Sequence, residues 1–154
     1  MGTLIIGCGN ADRGDDAAGM LVARRLREMG VPAEEQSGEA LALLESWHGA
    51  GDDLEVILVD AVVSGAPAGA ILVWDAREAP VVGDFLRCST HAFGVAEAVQ
   101  LARILDLLPP RMVIYGIEAE QFDFGAPPSA EVLQAVEEVA ARIAREVREP
   151  AHLA

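Results

Sequence analysis

The sequence predicts an α/β fold: a single three-layer domain over residues 1–154, with a mostly parallel twisted sheet of about five strands and helices on both faces. Three observations predict it. Short apolar runs alternate with longer amphipathic ones, and a parallel sheet needs that alternation because each crossover between its strands is a helix. The 154 residues, 52% of them hydrophobic, suffice to bury one core without disulfides or structural metal. Apolar runs also end on polar side chains or lead into them: Gly7-Cys8-Gly9-Asn10 before Asp15-Asp16, Leu54 to Val59 before Asp60, and Cys88-Ser89-Thr90 before His91. The rim of an open α/β sheet is where such folds keep their chemistry.

Thr3 to Gly7 is the first strand, closed by the glycine turn. A helix follows from Asp15 to about Met29, because Ala18, Leu21, Val22, Leu26 and Met29 recur at three- and four-residue spacing while Arg24, Arg25, Arg27 and Glu28 take the other side. Gly30 and Pro32 stop it. A polar strand is expected at Ala33 to Ser37, a helix from about Gly38 to His48, and the strongest strand at Leu54 to Val59. Gly65 to Gly69 makes a turn, and Ala70 to Trp74 reads as an edge strand returning antiparallel to its predecessor. Asp75 to Cys88 carries no readable pattern. Ser89 or Thr90 is placed to cap a helix running to about Leu108, where Pro109-Pro110 forces an end. Arg111 to Ile117 is the last strand and Gly125 to Pro128 a turn; Ser129 then caps a long helix with Val132, Val136, Val139, Ile143 and Val147 on one stripe. Residues 150–154 read as a loose tail.

With 11 basic against 25 acidic residues the formal charge is −14, so long-range electrostatics repel nucleic acid and anionic membrane surfaces, and no phosphate-rich partner is expected. Acidic side chains such as Glu131, Glu137, Glu138 and Glu146 read as solvated helix faces. The two cysteines, Cys8 and Cys88, have the spacing of neither a metal ribbon nor a disulfide framework, which suits a cytoplasmic protein. The N-terminal residues carry no basic region or cleavage site, and no apolar run approaches the ~18 residues of a membrane span, so neither export signal nor anchor is expected.

Gly7 and Gly9 invite comparison with a dinucleotide fingerprint, which fails in detail. The third glycine would fall on Asp12, and Asp15 and Asp16 would repel phosphates, so the glycines read as tight-turn residues. Asp16 falls in a first helical turn, where Asp15 or Asp16 can serve simply as a cap. Asp60, directly after a run of branched apolar residues, stands at a buried sheet edge, where a carboxylate needs a cationic or hydrogen-bonding partner. His91 follows a Ser-Thr cap, and the positive end of a helix favours a neutral imidazole able to bind metal. Together they offer two carboxylates and one imidazole, a donor set for nickel, zinc or another first-row divalent ion.

These residues also carry a family resemblance. Gly7-Cys8-Gly9-Asn10 with Asp15-Asp16 and Gly19, then Val59-Asp60-Ala61, Ser89-Thr90-His91, and Gly116-Ile117-Glu118 followed by Gly125 and Ser129 resemble, in order and along nearly the whole chain, the signature blocks of the hydrogenase maturation proteases. The resemblance implies a twisted sheet between helices and a metal-dependent peptidase. Its implied substrate is the large-subunit precursor of a nickel-iron hydrogenase, which loses a C-terminal extension after nickel insertion. Asp16, Asp60 and His91 are implied as the nickel-binding and catalytic residues, the nickel arriving with the precursor. Asp16 stands where some members have glutamate, and Ala17 where glycine is common.

Two other functions compete on the same residues. One makes Cys8 or Cys88 a thiol nucleophile with His91 as base, although nothing in the sequence orients the pair. The other is a nickel-sensing or precursor-holding chaperone that uses the three ligands without cutting. Asn10 is expected to hold its turn through its side chain, Trp47 to pack, Trp74 to pack or touch substrate, and His48 and His152 to lie at the surface. Glu118, Glu120 and Asp123 read as solvated loop carboxylates.

Overall fold

The computed structural model describes residues 2–48, 54–78 and 94–148. Among these, β1 (Thr3–Cys8), β2 (Glu34–Gln36), β3 (Glu55–Val62), β4 (Ile71–Asp75) and β5 (Arg111–Glu118) form one sheet in the order β2-β1-β3-β5-β4. All neighbours are parallel except β4, which runs antiparallel to β5. The described helices are α1 (Ala18–Glu28), α2 (Ala40–His48), α3 (Val95–Ile104) and α4 (Ala130–Arg148), with one 3-10 turn, Gly14–Ala17, leading into α1.

Because successive strand residues point to opposite faces, each strand feeds two cores. Ile5, Ile57, Val59 and Ile117 pack against Val22 and Leu26 of α1 and against Val132, Val139 and Ile143 of α4. On the other face, Ile6, Val56, Leu58 and Ile114 meet Leu43, Leu44 and Trp47 of α2 and Ala98, Val99 and Ala102 of α3. The three-layer α/β architecture is therefore the predicted one, and the α4 stripe buries as expected, with Val147 at its partly buried end. No described helix is long and apolar enough to cross a membrane.

Several elements differ from their sequence expectation. β3 does not stop at Asp60 but runs on to Val62, because Asp60, Ala61 and Val62 pair with Gly116, Ile117 and Glu118 of β5. β4 is the antiparallel edge strand expected, yet its partner is β5; β5 lies between β4 and β3 and gives β3 parallel neighbours on both sides. α1 starts at Ala18, after the 3-10 turn. The described helix α3 begins at Val95 with Gly94 as N-cap, whose N–H donates to Glu97 at 3.0 Å. It ends at Ile104 rather than near Leu108, since Asp106 adopts φ 57° and the N–H groups of Leu107 and Asp106 turn back to the carbonyls of Ala102 and Arg103. Ser89, Thr90, His91, Cys88, His152 and the tail 150–154 lie outside the described residues.

The connections position the site. From β1 the chain passes through α1 on one face to β2, then through α2 on the opposite face to β3. The strand order thus reverses between β1 and β3, and in open α/β sheets such a reversal is where the binding crevice lies, outside the carboxyl ends of the strands.

Candidate active site

Close backbone approaches build this crevice. A Cβ on Gly7 would stand 2.0 Å from the carbonyl oxygen of Gly19, and a Cβ on Gly19 would lie 2.3 Å from that of Cys8 and 2.4 Å from that of Val59. Only glycines let the start of α1 lie against the two strand ends. At Gly9 a Cβ would come within 2.0 Å of the Asp16 carbonyl oxygen, which accepts the N–H of Asn10 at 3.1 Å. The Asn10 side chain holds the turn as expected, its Oδ1 accepting the N–H of Asp12 at 3.0 Å. These glycines fold the turn back on itself, and the 3-10 turn that contains Asp16 lies against β3.

Asp16 and Asp60 are both buried, at 2% and 0% exposure. Asp60 Oδ1 accepts the N–H of Ala61 at 2.9 Å. Asp60 lies one residue beyond the last β1–β3 pair, Gly7 with Val59, and keeps β5 as its paired neighbour through Gly116. Oδ2 of Asp16 lies 3.9 Å from Nη1 of Arg13, whose guanidinium stands 5.2 Å over the Phe122 ring. Carboxylates are hard oxygen donors, and the chemistry of Asp16 and Asp60 fits a divalent cation. The third predicted donor, His91, lies outside the described residues, and among those described no group of three metal-binding side chains occurs.

Cys8 sits in β1 beside Asp60. Burial pushes its thiol well above its ordinary value, and the charge of Asp60 pushes it further. Both effects disfavour the thiolate that a nucleophilic role needs, and Cys8 is a buried core side chain. Cys88 lies outside the described residues. Trp47 and Trp74 are buried packing residues of the α2–α3 face, and His48 is exposed, as expected.

Two buried carboxylates have roles the sequence reading missed. Asp15 is no mere cap of its own helix: it accepts the N–H groups of Glu120 at 2.9 Å, Gln121 at 3.0 Å and Ser129 at 2.6 Å, and the Ser129 hydroxyl as well. Ser129, expected as a helix cap, spends its hydroxyl on this clamp. Glu118 is a strand residue rather than a solvated one, and accepts the N–H of Ser64 at 2.9 Å and its hydroxyl at 2.5 Å. Glu120 and Asp123 are exposed, as expected. No local signal marks these partners, because the pairings span 54 to 114 residues.

A family model described as "Hydrogenase maturation protease" (HycI) matches residues 41–146. The chain belongs to the hydrogenase maturation protease family. Solved structures of similar fold include the [NiFe] hydrogenase maturation protease HybD from Thermococcus kodakarensis, 25% identical over 96% of this chain and 99% of that one, with TM-score 0.75. The hydrogenase maturating endopeptidase HybD from E. coli is 20% identical over 97% of this chain and 94% of its own, with TM-score 0.79. HycI from Thermococcus kodakarensis KOD1 is 24% identical, covers 96% and 92%, and has TM-score 0.72. No curated protein matches the chain by sequence. The sheet between helices predicted here is thus the maturation-protease fold, and at the level of that family the activity is that of a peptidase.

Proposed function

We propose that this maturation protease is the endopeptidase that removes the C-terminal extension of a nickel-iron hydrogenase large-subunit precursor after nickel insertion. Asp16, Asp60 and His91 contact the nickel that the precursor carries, and the cytoplasm is the compartment this reading assigns. What supports it is that two buried carboxylates, one on the turn between β1 and α1 and one on β3, stand at the end of the sheet where the strand order reverses. Nickel is cargo of the substrate here. The same donors would accept zinc or another divalent ion.

A divalent ion with open positions polarises a carbonyl or activates water, which is what peptide hydrolysis requires. The chain's own residues supply position. Asp16 and Asp60 grip from two rigid elements, so recognition of the loaded precursor and alignment of its nearby peptide bond become one event. Gly9 and Asn10 hold the turn that carries Asp16, and burial of both acids strengthens their attraction for a cation.

Nickel-loaded precursor incubated with Asp16→Asn, Asp60→Asn and His91→Gln variants tests this by intact mass. Each variant is expected to leave the extension attached. Undiminished processing by all three removes the reading, and unchanged precursor mass with a stable complex of the wild-type chain points to a chaperone instead.

A further inference from the structure

The turn that carries Asp16 also carries a cation. Arg13 reaches Asp16 at 3.9 Å and lies 5.2 Å over Phe122, with its side chain 39% exposed while Asp16 is 2% exposed. The arrangement is built from both sides. Gly14, at φ +54°, brings its backbone so near Gln121 that a Cβ would stand 2.4 Å from the Gln121 carbonyl oxygen. The Asp15 N–H donates to that oxygen at 2.7 Å, and the N–H of Gly125 donates to the carbonyl of Asp12 at 2.8 Å. The turn and the loop are tied on either side of Arg13 and Phe122, so the aromatic platform is fixed under the guanidinium.

We infer that Arg13 is a positioning residue of this site: anchored on Phe122, it stands beside Asp16 in the free enzyme and has to give way when a divalent cation arrives, so that free metal is disfavoured relative to metal delivered by a docked precursor. The inference rests on the reading of Asp16 as a nickel contact. Three physical points support it. At 3.9 Å the ion pair is longer than a hydrogen bond, and a cation that takes over the charge of Asp16 leaves neither group uncompensated, since the guanidinium is part-exposed to solvent. The ring holds the guanidinium beside Asp16, which adds to what an incoming cation has to displace. A guanidinium left about 4 Å from the carboxylate repels any divalent ion there, a penalty that free metal has to meet alone but that precursor contacts offset. In a chain with 11 basic against 25 acidic residues, other described arginines are engaged elsewhere, Arg24 and Arg27 with Glu35, Arg25 with Glu137 and Arg111 with Glu55.

Calorimetric titration of nickel chloride into the full chain tests it. Arg13→Gln is expected to bind the metal about tenfold more tightly than wild type, from the repulsion removed. Arg13→Lys, which keeps the charge, should restore weak binding, and Phe122→Leu should fall between. Asp16→Asn should abolish the gain in the Arg13→Gln background. Nickel binding by Arg13→Gln no tighter than wild type, while Asp16→Asn still weakens it, overturns the role of Arg13 and leaves the nickel reading standing. Binding indifferent to Asp16→Asn in both backgrounds overturns the nickel reading itself, and this inference with it.

Discussion

Asp15 and Glu118 on one side, and Asp16 and Asp60 on the other, are equally buried acids at the same end of one sheet, yet they are set for different work. The first pair faces inward to the protein: Asp15 takes amides and a hydroxyl from the 120–129 loop, and Glu118 takes the amide and hydroxyl of Ser64. Both staple loops to the sheet. The second pair stands where the strand order reverses, with Asp16 near a loosely held arginine and Asp60 inside a strand that has outrun its β1 neighbour. Burial therefore does not by itself mark a functional acid. Position relative to the switch point, and the chemistry of what each oxygen holds, separates staple from site.

That contrast can be broken by substitution. The largest effect is expected at the site: Asp60→Asn or Asp16→Asn should slow precursor processing by about 10³-fold, since several kcal/mol of charge stabilisation is lost, while the thermal midpoint stays near wild type. A collapse of stability instead would put these acids with the staples. Next comes Asp15→Ala, expected to cost about 3 kcal/mol in urea unfolding because loop N–H groups lose their acceptor. Glu118→Ala should cost about 2 kcal/mol, with one amide and one hydroxyl released, and should leave nickel-dependent cleavage measurable at low temperature.

The smallest effect sharpens the contrast through pH. Burial pushes the Asp15 carboxyl up, but the hydrogen bonds from Ser129, Glu120 and Gln121 outweigh it and hold the group below its ordinary value. A depressed folded value gives stability that is present above the unfolded value of about 3.9 and is lost as pH falls through the folded value. The urea midpoint of wild type should consequently drop more steeply than that of Asp15→Asn as pH falls below about 4. Parallel curves would show that Asp15 is no staple.

Much of this was legible in the sequence, and the failures share a cause. β1, β3, β5 and the α4 stripe follow from local periodicity, and Asp60 stood out because a carboxylate after Leu54 to Val59 has nowhere inexpensive to go. The partner of β4 was not legible, because strand order depends on β5, which comes some 40 residues later. Asp15 and Asp16 look interchangeable as neighbours; only the distant Ser129 and Gln121 tell them apart. Glu118 read as a loop acid because the apolar run ends at Ile117, whereas pairing with Val62 carries the strand one residue further. The end of α3 was placed at the prolines, but the reversal at Asp106 comes first.

Co-expression of this chain with its candidate hydrogenase large subunit, in medium with and without nickel, puts the central claim to the most direct test when the subunit is weighed intact. The account predicts loss of a C-terminal peptide only when nickel is supplied and both Asp16 and Asp60 are present. Trimming in nickel-free medium, or trimming by the Asp16→Asn, Asp60→Asn double variant, would contradict it.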